Sequence, residues 1–343
     1  MEKTKNYGGK MKSNLILEYI KGILYYQGFV SCMALSRLVQ NVSHDGFTRM
    51  LKDNWCGQIL LHHIIVNFFA KLFVPKGGYL IIDDTVIIKE YSKSISEAFF
   101  VYSSTHKRSK FGVSMVLLVW TDGNIKIPLG YKIWKKNEKS KYDLGAELLS
   151  YARNILKLKP KYVVFDSWYG SDKILKLIKN YGWKFVCRVK RNRVFQKVQV
   201  QKYRVNNPQW TEVGNLRKSI KVCMTKYRRK YHMTNDLSLT SEGIRAIYKV
   251  RQTIENVFAL LKSHLNLENC QVGYDRFSKK KAKNTNRCQG PQNHHVALCL
   301  AAYLIIEIER IRNNKTWDRF REIVFSHRDH ILLPSLSIIK EVA

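Results

Sequence analysis

The sequence predicts an α/β protein in which helices cover a mixed, five-stranded sheet. Three observations lead to this prediction. Between residues 79 and 189, apolar runs typical of strands first form a hairpin series and then alternate with helical segments. Residues 14–74 carry apolar side chains at helical spacing instead. Hydrophobic residues make up 45% of the 343-residue chain, which is enough to build a packed core.

The first predicted strand, residues 79–88, is an apolar run interrupted only by Asp83, Asp84 and Thr85. The elements that follow are strands at 111–120 and 125–134 around a turn, a helix at 142–156, a strand at 162–165, a helix at 172–181 and a strand at 183–189. A hairpin meander that leads into alternating helices and strands implies a mixed sheet covered by helices. It is also the element order of the ribonuclease H-like fold.

Two further segments flank this core. Residues 1–76 are predicted to form an N-terminal helical domain that binds DNA, with an N-cap at 42–45 followed by a short helix through Leu51. A generic helical bundle is the alternative. Residues 190–240 are predicted to be a basic, β-rich insertion, because positions 190–235 hold thirteen Lys or Arg and one acidic residue. The core would then comprise 77–189 and 241–343, with a long helix at 241–264, a basic loop at 276–287 and a final helix at 296–312.

Charge indicates the class of partner. The chain has 60 Lys and Arg against 26 Asp and Glu, a formal net charge of +34. Such an excess favours a polyanion, because each phosphate that Lys or Arg neutralises releases a bound counterion. A membrane-surface or ribosome-associated protein is the alternative. The seven cysteines are scattered without a CxxC pair, and no apolar window is both long and uninterrupted. We therefore expect a cytoplasmic protein with no membrane partner.

Acidic residues stand where a sheet favours apolar ones. Asp83 and Asp84 interrupt a buried strand, and Asp166 ends another. A carboxylate inside a sheet is costly unless it is paired or bound to a cation. Neighbouring strands lie about 4.8 Å apart, so carboxylates on two of them could share divalent metals. Since successive residues of a strand point to opposite faces, only one of Asp83 and Asp84 can face Asp166. The alternative is that these residues cap turns at strand ends.

A third acidic residue lies in a spaced group on the predicted helix at 241–264. Tyr248, Arg251, Glu255 and Lys262 have the spacing Y-x2-R-x3-E-x6-K. At about 100° per residue they fall within about 60° of one another on a helical wheel. An amphipathic helix with a solvated polar face is the alternative interpretation.

These motifs resemble those of bacterial DDE transposases of the insertion sequence 4 type. The likeness rests on Ile82-Asp83-Asp84-Thr85, on the stretch from Val164 to Gly170, and on the Y-R-E-K spacing, and it covers nearly all of residues 78–265. In that family the acidic residue directly before Thr binds metal, which favours Asp84 over Asp83. Gln252 departs from the family, which often has Trp at this position.

The resemblance implies an enzyme that holds two Mg²⁺ ions, with Mn²⁺ as a substitute, through Asp84, Asp166 and Glu255. It would cleave transposon ends and join their 3′-hydroxyls to target DNA, while Tyr248, Arg251 and Lys262 hold phosphates. The implied partners are the terminal inverted repeats and target DNA, bound by a homodimer in the bacterial nucleoid. Hairpin-forming relatives stack a Trp on an extruded base. Trp210 is the candidate here, and a core role is the alternative.

Two other functions are compatible with the sequence. One is a ribonuclease H-like nuclease or resolvase without strand transfer, and the other is a catalytically inactive DNA-binding relic. The basic insertion favours the transposase over the first, and the complete acidic triad favours it over the second. The histidine pairs at 62–63 and 294–295 have no Cys or acidic partner at ligand spacing, so we interpret them as structural or DNA-facing.

Overall fold

A computed structural model describes residues 13–25, 30–39, 42–69, 77–92, 95–103, 106–203, 207, 209–216, 220–273 and 290–317. The predicted basic loop at 276–287 lies outside the described residues. So do residues 1–12 of the predicted N-terminal domain and residues 318–343 of the predicted core. The chain divides into two compact units. The first comprises Met1–Ala70, Thr85–Met115 and Phe258–Ala343, and the second comprises Lys71–Asp84 and Val116–Val257.

The described residues form only helices before residue 70, and both strands and helices from residue 79 onward. The helices are α1 (Ser13–Tyr25), α2 (Cys32–Leu38), α3 (His44–Lys52), α4 (Gly57–Ile64), α5 (Lys141–Asn154), α6 (Asp172–Asn180), α7 (Ser241–Lys249), α8 (Gln252–Ser263) and α9 (Pro291–Arg312). The strands are β1 (Tyr79–Ile88), β2 (Phe99–Ser103), β3 (Arg108–Thr121), β4 (Lys126–Trp134), β5 (Tyr162–Phe165), β6 (Phe185–Val189), β7 (Val194–Phe195), β8 (Val198–Gln199), β9 (Thr211–Leu216), β10 (Ile220–Tyr227) and β11 (Lys230–Thr234).

The first unit has the long helix α9 at its centre. Helices α1, α3 and α4 pack against α9, whose side chains are buried along nearly its whole length. The predicted cap of α3 is confirmed, since the Ser43 hydroxyl accepts a hydrogen bond from the Gly46 backbone N–H at 3.2 Å. In the same unit β2, which the sequence did not predict, pairs antiparallel with the beginning of β3. Among the helices of the described ranges, none combines the length and apolarity needed to cross a membrane.

The second unit is a mixed sheet with helices, as predicted. Its strands follow the order β4-β3-β1-β5-β6-β11-β10-β9-β7-β8. Strand β5 pairs in parallel with both β1 and β6, whereas β11 pairs antiparallel with β6. Helices α5 and α6 pack together, and α7 lies against β5, β6, β10 and β11.

The sheet is larger than the five strands that the sequence predicts. Strands β7 to β11 arise from the basic segment after residue 190, and β11 adds directly to the edge strand β6. The alternating stretches of that segment are strands that continue the core sheet. A free strand edge exposes unpaired N–H and C=O groups, so pairing at this edge satisfies them.

The start of β1 is set by Gly78. This residue has φ +73°, a conformation that favours glycine, and a Cβ there would lie 2.4 Å from the indole nitrogen of Trp120. Its carbonyl accepts a hydrogen bond of 2.8 Å from the Lys161 N–H. The close approach fixes where β1 enters the sheet, five residues before Asp83.

Replacing Gly78 by alanine should therefore destabilise the second unit. Gly182→Ala is the matched control, because Gly182 has φ +69° but nothing within 4 Å of an added Cβ. The left-handed conformation alone should lower the free energy of unfolding by about 1 kcal/mol at Gly182. The clash should add about 1–3 kcal/mol at Gly78. Urea denaturation measures both, and equal losses would show that the contact with Trp120 is not constraining.

Candidate functional site

The second unit brings the predicted aspartates to one edge of its sheet. Strands β1 and β5 are parallel, and their last register pair is Ile82 with Phe165. Asp83 and Asp166 are therefore the next residues on two adjacent strands, at the carboxyl end of β5. Adjacent strands are about 4.8 Å apart, so this parallel pairing places Asp83 and Asp166 side by side.

Asp83 is buried, with 8% of its surface exposed. Its Oδ2 accepts a hydrogen bond of 2.5 Å from Arg251 Nη2, and its Oδ1 accepts one of 3.0 Å from the Asp84 N–H. Burial raises the pKa of Asp83 to about 7, with the charges of Asp166 and Asp84 adding to the rise and that of Arg251 opposing it. The geometry makes Asp83 the partner of a guanidinium.

Asp84 is half-buried and differs from Asp83 in its partners. Its Oδ1 accepts a hydrogen bond of 3.0 Å from the Tyr169 hydroxyl, and its Oδ2 lies 2.5 Å from Lys141 Nζ. Tyr169 is fully buried, so its hydroxyl is a fixed donor, and burial together with Asp84 raises the pKa of Tyr169 well above its ordinary value. One fixed donor and one ammonium thus orient the Asp84 carboxylate.

Asp166 follows β5 and ends the strand with a turn. Its Oδ1 accepts hydrogen bonds from the backbone N–H groups of Trp168 at 2.8 Å and Tyr169 at 3.3 Å. Burial raises the pKa of Asp166, and the nearby charge of Asp84 adds to the rise while these hydrogen bonds and Arg251 oppose it. Its Oδ2 accepts no hydrogen bond from the described residues and so remains available to a cation.

The helix that carries Glu255 is not the single helix predicted at 241–264. Helix α7 ends at Lys249 and α8 begins at Gln252. Hydrogen bonds of the i→i+3 type join the two, from Arg251 N–H to Tyr248 carbonyl at 3.1 Å and from Ile254 N–H to Arg251 carbonyl at 3.2 Å. The prediction of one continuous helix was wrong, because a 3₁₀-type turn at Val250 and Arg251 separates the two helices.

Arg251 lies in this break and holds two carboxylates. Its Nη2 contacts Asp83, and its Nη1 donates to Glu255 Oε1 at 2.5 Å. Burial alone would lower the pKa of Arg251, but the negative charges around it raise that pKa above its ordinary value. Glu255 Oε2 receives no hydrogen bond from the described residues. A single guanidinium therefore connects the strand bearing two aspartates to the helix bearing the glutamate.

The other two members of the Y-R-E-K group are also engaged by protein atoms. Tyr248 packs on the ring of His232, with centroids 4.5 Å apart, and burial raises its pKa to about 12. Lys262, in the first unit, donates a hydrogen bond of 2.6 Å to the Val86 carbonyl and lies 3.2 Å from Glu268 Oε1. DNA phosphates would have to replace or extend these contacts.

Sequence reasoning missed the two side chains that hold Asp84. Tyr169 belongs to the motif around Asp166, but nothing in that motif indicates that its hydroxyl reaches a different strand. Lys141 is the first residue of α5 and lies inside a capping box, directly after its N-cap Ser140 and before its N3 residue Asp143. The cap fixes where α5 starts and hence where Lys141 emerges. A capping pattern was the only local signal that could have indicated its position.

The remaining candidates have structural contacts. Trp210 is half-buried beside Tyr203, with ring centroids 6.0 Å apart. His294 is fully buried, lies 2.7 Å from the Leu51 carbonyl and 2.6 Å from the Trp55 carbonyl, and stacks on the Trp55 ring. His295, also buried, lies 3.0 Å from the Tyr19 hydroxyl. The structural interpretation of the pair at 294–295 is confirmed.

The donor atoms at this edge suit a hard divalent cation. Carboxylate oxygens are the ligands that Mg²⁺ and Mn²⁺ prefer, and Asp84 and Asp166 lie close enough for one charge to raise the pKa of the other. The free oxygens of Asp166 and Glu255 fit the same chemistry. Within the described ranges, no three His, Cys, Asp or Glu side chains converge on a common centre. Glu255 instead points its Oε1 at Arg251.

Known proteins resemble this chain in sequence and in fold. The family model described as "Transposase DDE domain" matches residues 75–282. The piggyBac transposase, in a synaptic complex with hairpin DNA, matches with a TM-score of 0.55 and 11% identity over 96% of this chain and 71% of that chain. The Mos1 strand transfer complex matches with a TM-score of 0.21 and 14% identity, over 52% of this chain and 59% of that chain. No curated protein sequence matches. The first structural match shows a shared fold.

If Arg251 compensates the buried charge of Asp83, their contributions to stability should be coupled. Arg251→Leu leaves an unpaired carboxylate and should lower the free energy of unfolding by about 3 kcal/mol. Adding Asp83→Asn should restore part of that loss, with a coupling energy of about 2 kcal/mol in a double-mutant cycle. Urea denaturation of the four proteins measures it.

The control for this cycle is the solvent-exposed ion pair between Lys173 and Asp143, whose side chains are 62% and 29% exposed, so Lys173→Met should cost less than about 1 kcal/mol. Additive losses for Asp83→Asn and Arg251→Leu would contradict a compensating role for Arg251.

Proposed function

Because the chain belongs to the DDE transposase family, we propose that it cleaves transposon ends and joins their 3′-hydroxyls to target DNA. The observation that carries this proposal is the clustering of Asp83, Asp84 and Asp166 on adjacent strands, with Glu255 tied to them through Arg251. A net charge of +34 supports a DNA partner. Water would first hydrolyse a phosphodiester to leave a 3′-hydroxyl. That hydroxyl would then attack a target phosphodiester, releasing the target's own 3′-oxygen.

We assign the metal-binding role to Asp84, Asp166 and Glu255. The choice of Asp84 over Asp83 is supported by their partners, since Asp83 is buried against Arg251 whereas Asp84 is half-buried. Two Mg²⁺ ions, or Mn²⁺ in their place, would activate the attacking oxygen and stabilise the leaving one. The protein's own task is orientation. Tyr169 and Lys141 fix Asp84, and the turn after β5 fixes Asp166.

Arg251 has two tasks in this proposal. It neutralises Asp83, which would otherwise place a third negative charge beside the aspartates that bind metal, and it positions Glu255 on the first turn of α8. The sequence motif also suggests phosphate binding by Tyr248, Arg251 and Lys262. We retain that role, with a DNA phosphate adding to the carboxylate contacts of Arg251 and replacing the carbonyl contact of Lys262.

The finer classification belongs to the same proposal. The order of the motifs, with strands β7 to β11 between Asp166 and Glu255, is that of the insertion sequence 4 group. It supports a ribonuclease H-like core of residues 77–189 and 241–343, an insertion at 190–240, and an N-terminal DNA-binding domain at 1–76. We further propose that a homodimer pairs two terminal inverted repeats on the DNA of the bacterial nucleoid, in the cytoplasm.

Removal of any one metal-binding carboxylate should abolish cleavage. We expect Asp84→Ala, Asp166→Ala and Glu255→Gln each to lower Mg²⁺-dependent cleavage at least about a thousandfold, since several kcal/mol of transition-state stabilisation are lost. Binding to the same DNA should persist. The substrate is the DNA that flanks the coding sequence, where terminal inverted repeats would lie.

Glu212→Gln is the matched control for Glu255→Gln. It removes the same charge from a half-buried glutamate of β9 and should leave cleavage unchanged. Full cleavage by the Glu255→Gln protein would exclude this triad. Cleavage by Asp84→Ala but not by Asp83→Ala would instead reverse the choice between the two aspartates.

Strand transfer distinguishes a transposase from a nuclease of similar fold. A labelled terminal repeat that already carries a free 3′-hydroxyl should become joined to a plasmid by the native protein in Mg²⁺. The Glu255→Gln protein should give no joined product. Cleavage without joining would favour the resolvase-like alternative, and DNA binding with neither reaction would favour an inactive relic.

A further inference from the structure

A cavity of about 150 Å³ lies in the second unit, next to the turn that follows Asp166. Ser167 and Gly170 of that turn form one wall. The end of β6 and the residues after it form the other, with Arg188, Lys190, Asn192 and Arg193. The cavity is large enough for a phosphate group, whose volume is on the order of a few water molecules.

The lining of this cavity is basic. Three of its side chains are cations, from Arg188, Lys190 and Arg193, and no Asp or Glu lines it. Asn192 and Ser167 add uncharged hydrogen-bonding groups. A concave surface with one sign of charge concentrates ions of the opposite sign. The charges that line the cavity therefore favour an anion with several acceptor oxygens.

Arg188 is the most informative of these residues. It is half-buried on β6, yet its guanidinium makes no hydrogen bond or ion pair with the described residues. A guanidinium has five N–H donors, and since none of those of Arg188 is engaged by the described residues, they can all bind a ligand in the cavity. Its positive charge contributes to lowering the pKa of the neighbouring His232 to about 4, after the larger effect of burial. An anionic oxygen in the cavity would satisfy this side chain.

Neighbouring contacts hold the cavity walls in place. Arg193 donates to the Gly170 carbonyl through Nη1, and through Nη2 to Asp172 Oδ1 at 2.6 Å. Lys190 Nζ lies 4.5 Å from the ring centroid of Trp168, which is 46% exposed. The wall after Asp166 and the wall after β6 are thus connected before any ligand binds. Donors that are already positioned lose little entropy on binding.

We propose that this cavity binds a backbone phosphate of the DNA strand on which Asp166 acts. The proposal rests on the proposed function, because it takes DNA as the partner and Asp166 as part of the site. Arg188 would contact the phosphate in a bidentate manner, with Lys190 and Asn192 completing its coordination. The cavity would thereby set the position of the strand relative to the turn that carries Asp166.

The salt dependence of DNA binding tests this assignment. Removal of one phosphate contact should reduce the slope of log K against log salt by about 0.9. We expect Arg188→Gln to show that reduction and to bind the terminal-repeat duplex about tenfold more weakly. Arg153→Gln is the matched control, since Arg153 is a half-buried arginine of the same unit that does not line the cavity. It should leave the slope unchanged.

Further variants separate binding from folding. Lys190 is exposed, so Lys190→Gln should fold normally and should also reduce the slope. Arg188→Lys keeps the charge and should retain the native slope while losing part of the affinity. Thermal melting of each protein checks its folding. Native slopes in both Arg188→Gln and Lys190→Gln would overturn the proposal.

Titration with inorganic phosphate distinguishes a site for a DNA backbone phosphate from a site for free phosphate. Calorimetric binding of phosphate that Arg188→Gln abolishes, together with an unchanged DNA slope, would identify a site for free phosphate and overturn the assignment to DNA. Cleavage assays keep the proposed function separate. If the native chain cleaves DNA but Arg188→Gln and Lys190→Gln keep the native salt slope, the cavity assignment is rejected and the transposase activity stands. If Arg188→Gln changes the salt slope but the native chain does not cleave, the transposase activity is rejected and the cavity assignment stands.

Discussion

The ion pair between Asp83 and Arg251 is the contact on which the candidate site depends. It joins β1, which carries two aspartates, to the break between α7 and α8, one turn before Glu255. The other half of the same guanidinium holds Glu255. Burying a carboxylate is unfavourable without a cation, so the pair constrains both elements at once. It also keeps the negative charge of Asp83 from adding to that of its neighbours.

That arrangement explains why a chain so rich in Lys and Arg keeps a local group of carboxylates. Each aspartate has a different kind of partner: a guanidinium for Asp83, a hydroxyl and an ammonium for Asp84, and backbone N–H groups for Asp166. These partners allow three acidic side chains to lie near one another in one folded unit. Among the described residues, none donates a hydrogen bond to the second oxygen of Asp166.

The basic segment after β6 has two relations to this site. Its strands extend the core sheet from the edge that β6 would otherwise expose, which supplies a structural reason for its alternating pattern. Its first residues line the cavity beside Asp166, and Arg193 ties them to the turn after that residue. The segment predicted to be an insertion therefore also supports the edge of the sheet that carries the candidate site.

Apolar periodicity was enough to predict the α/β class and the order of the core strands other than β2, because periodicity is a local property. The motifs around Asp84, Asp166 and Glu255 were enough to indicate the DDE transposase family and the acidic residues worth testing. Tertiary contacts were needed to show that α7 and α8 are separate helices, that Asp83 rather than Asp84 pairs with Arg251, that Lys141 and Tyr169 hold Asp84, and that Arg188 lines the cavity. Those facts depend on contacts between residues as many as 168 positions apart, such as Asp83 and Arg251, which no local pattern encodes.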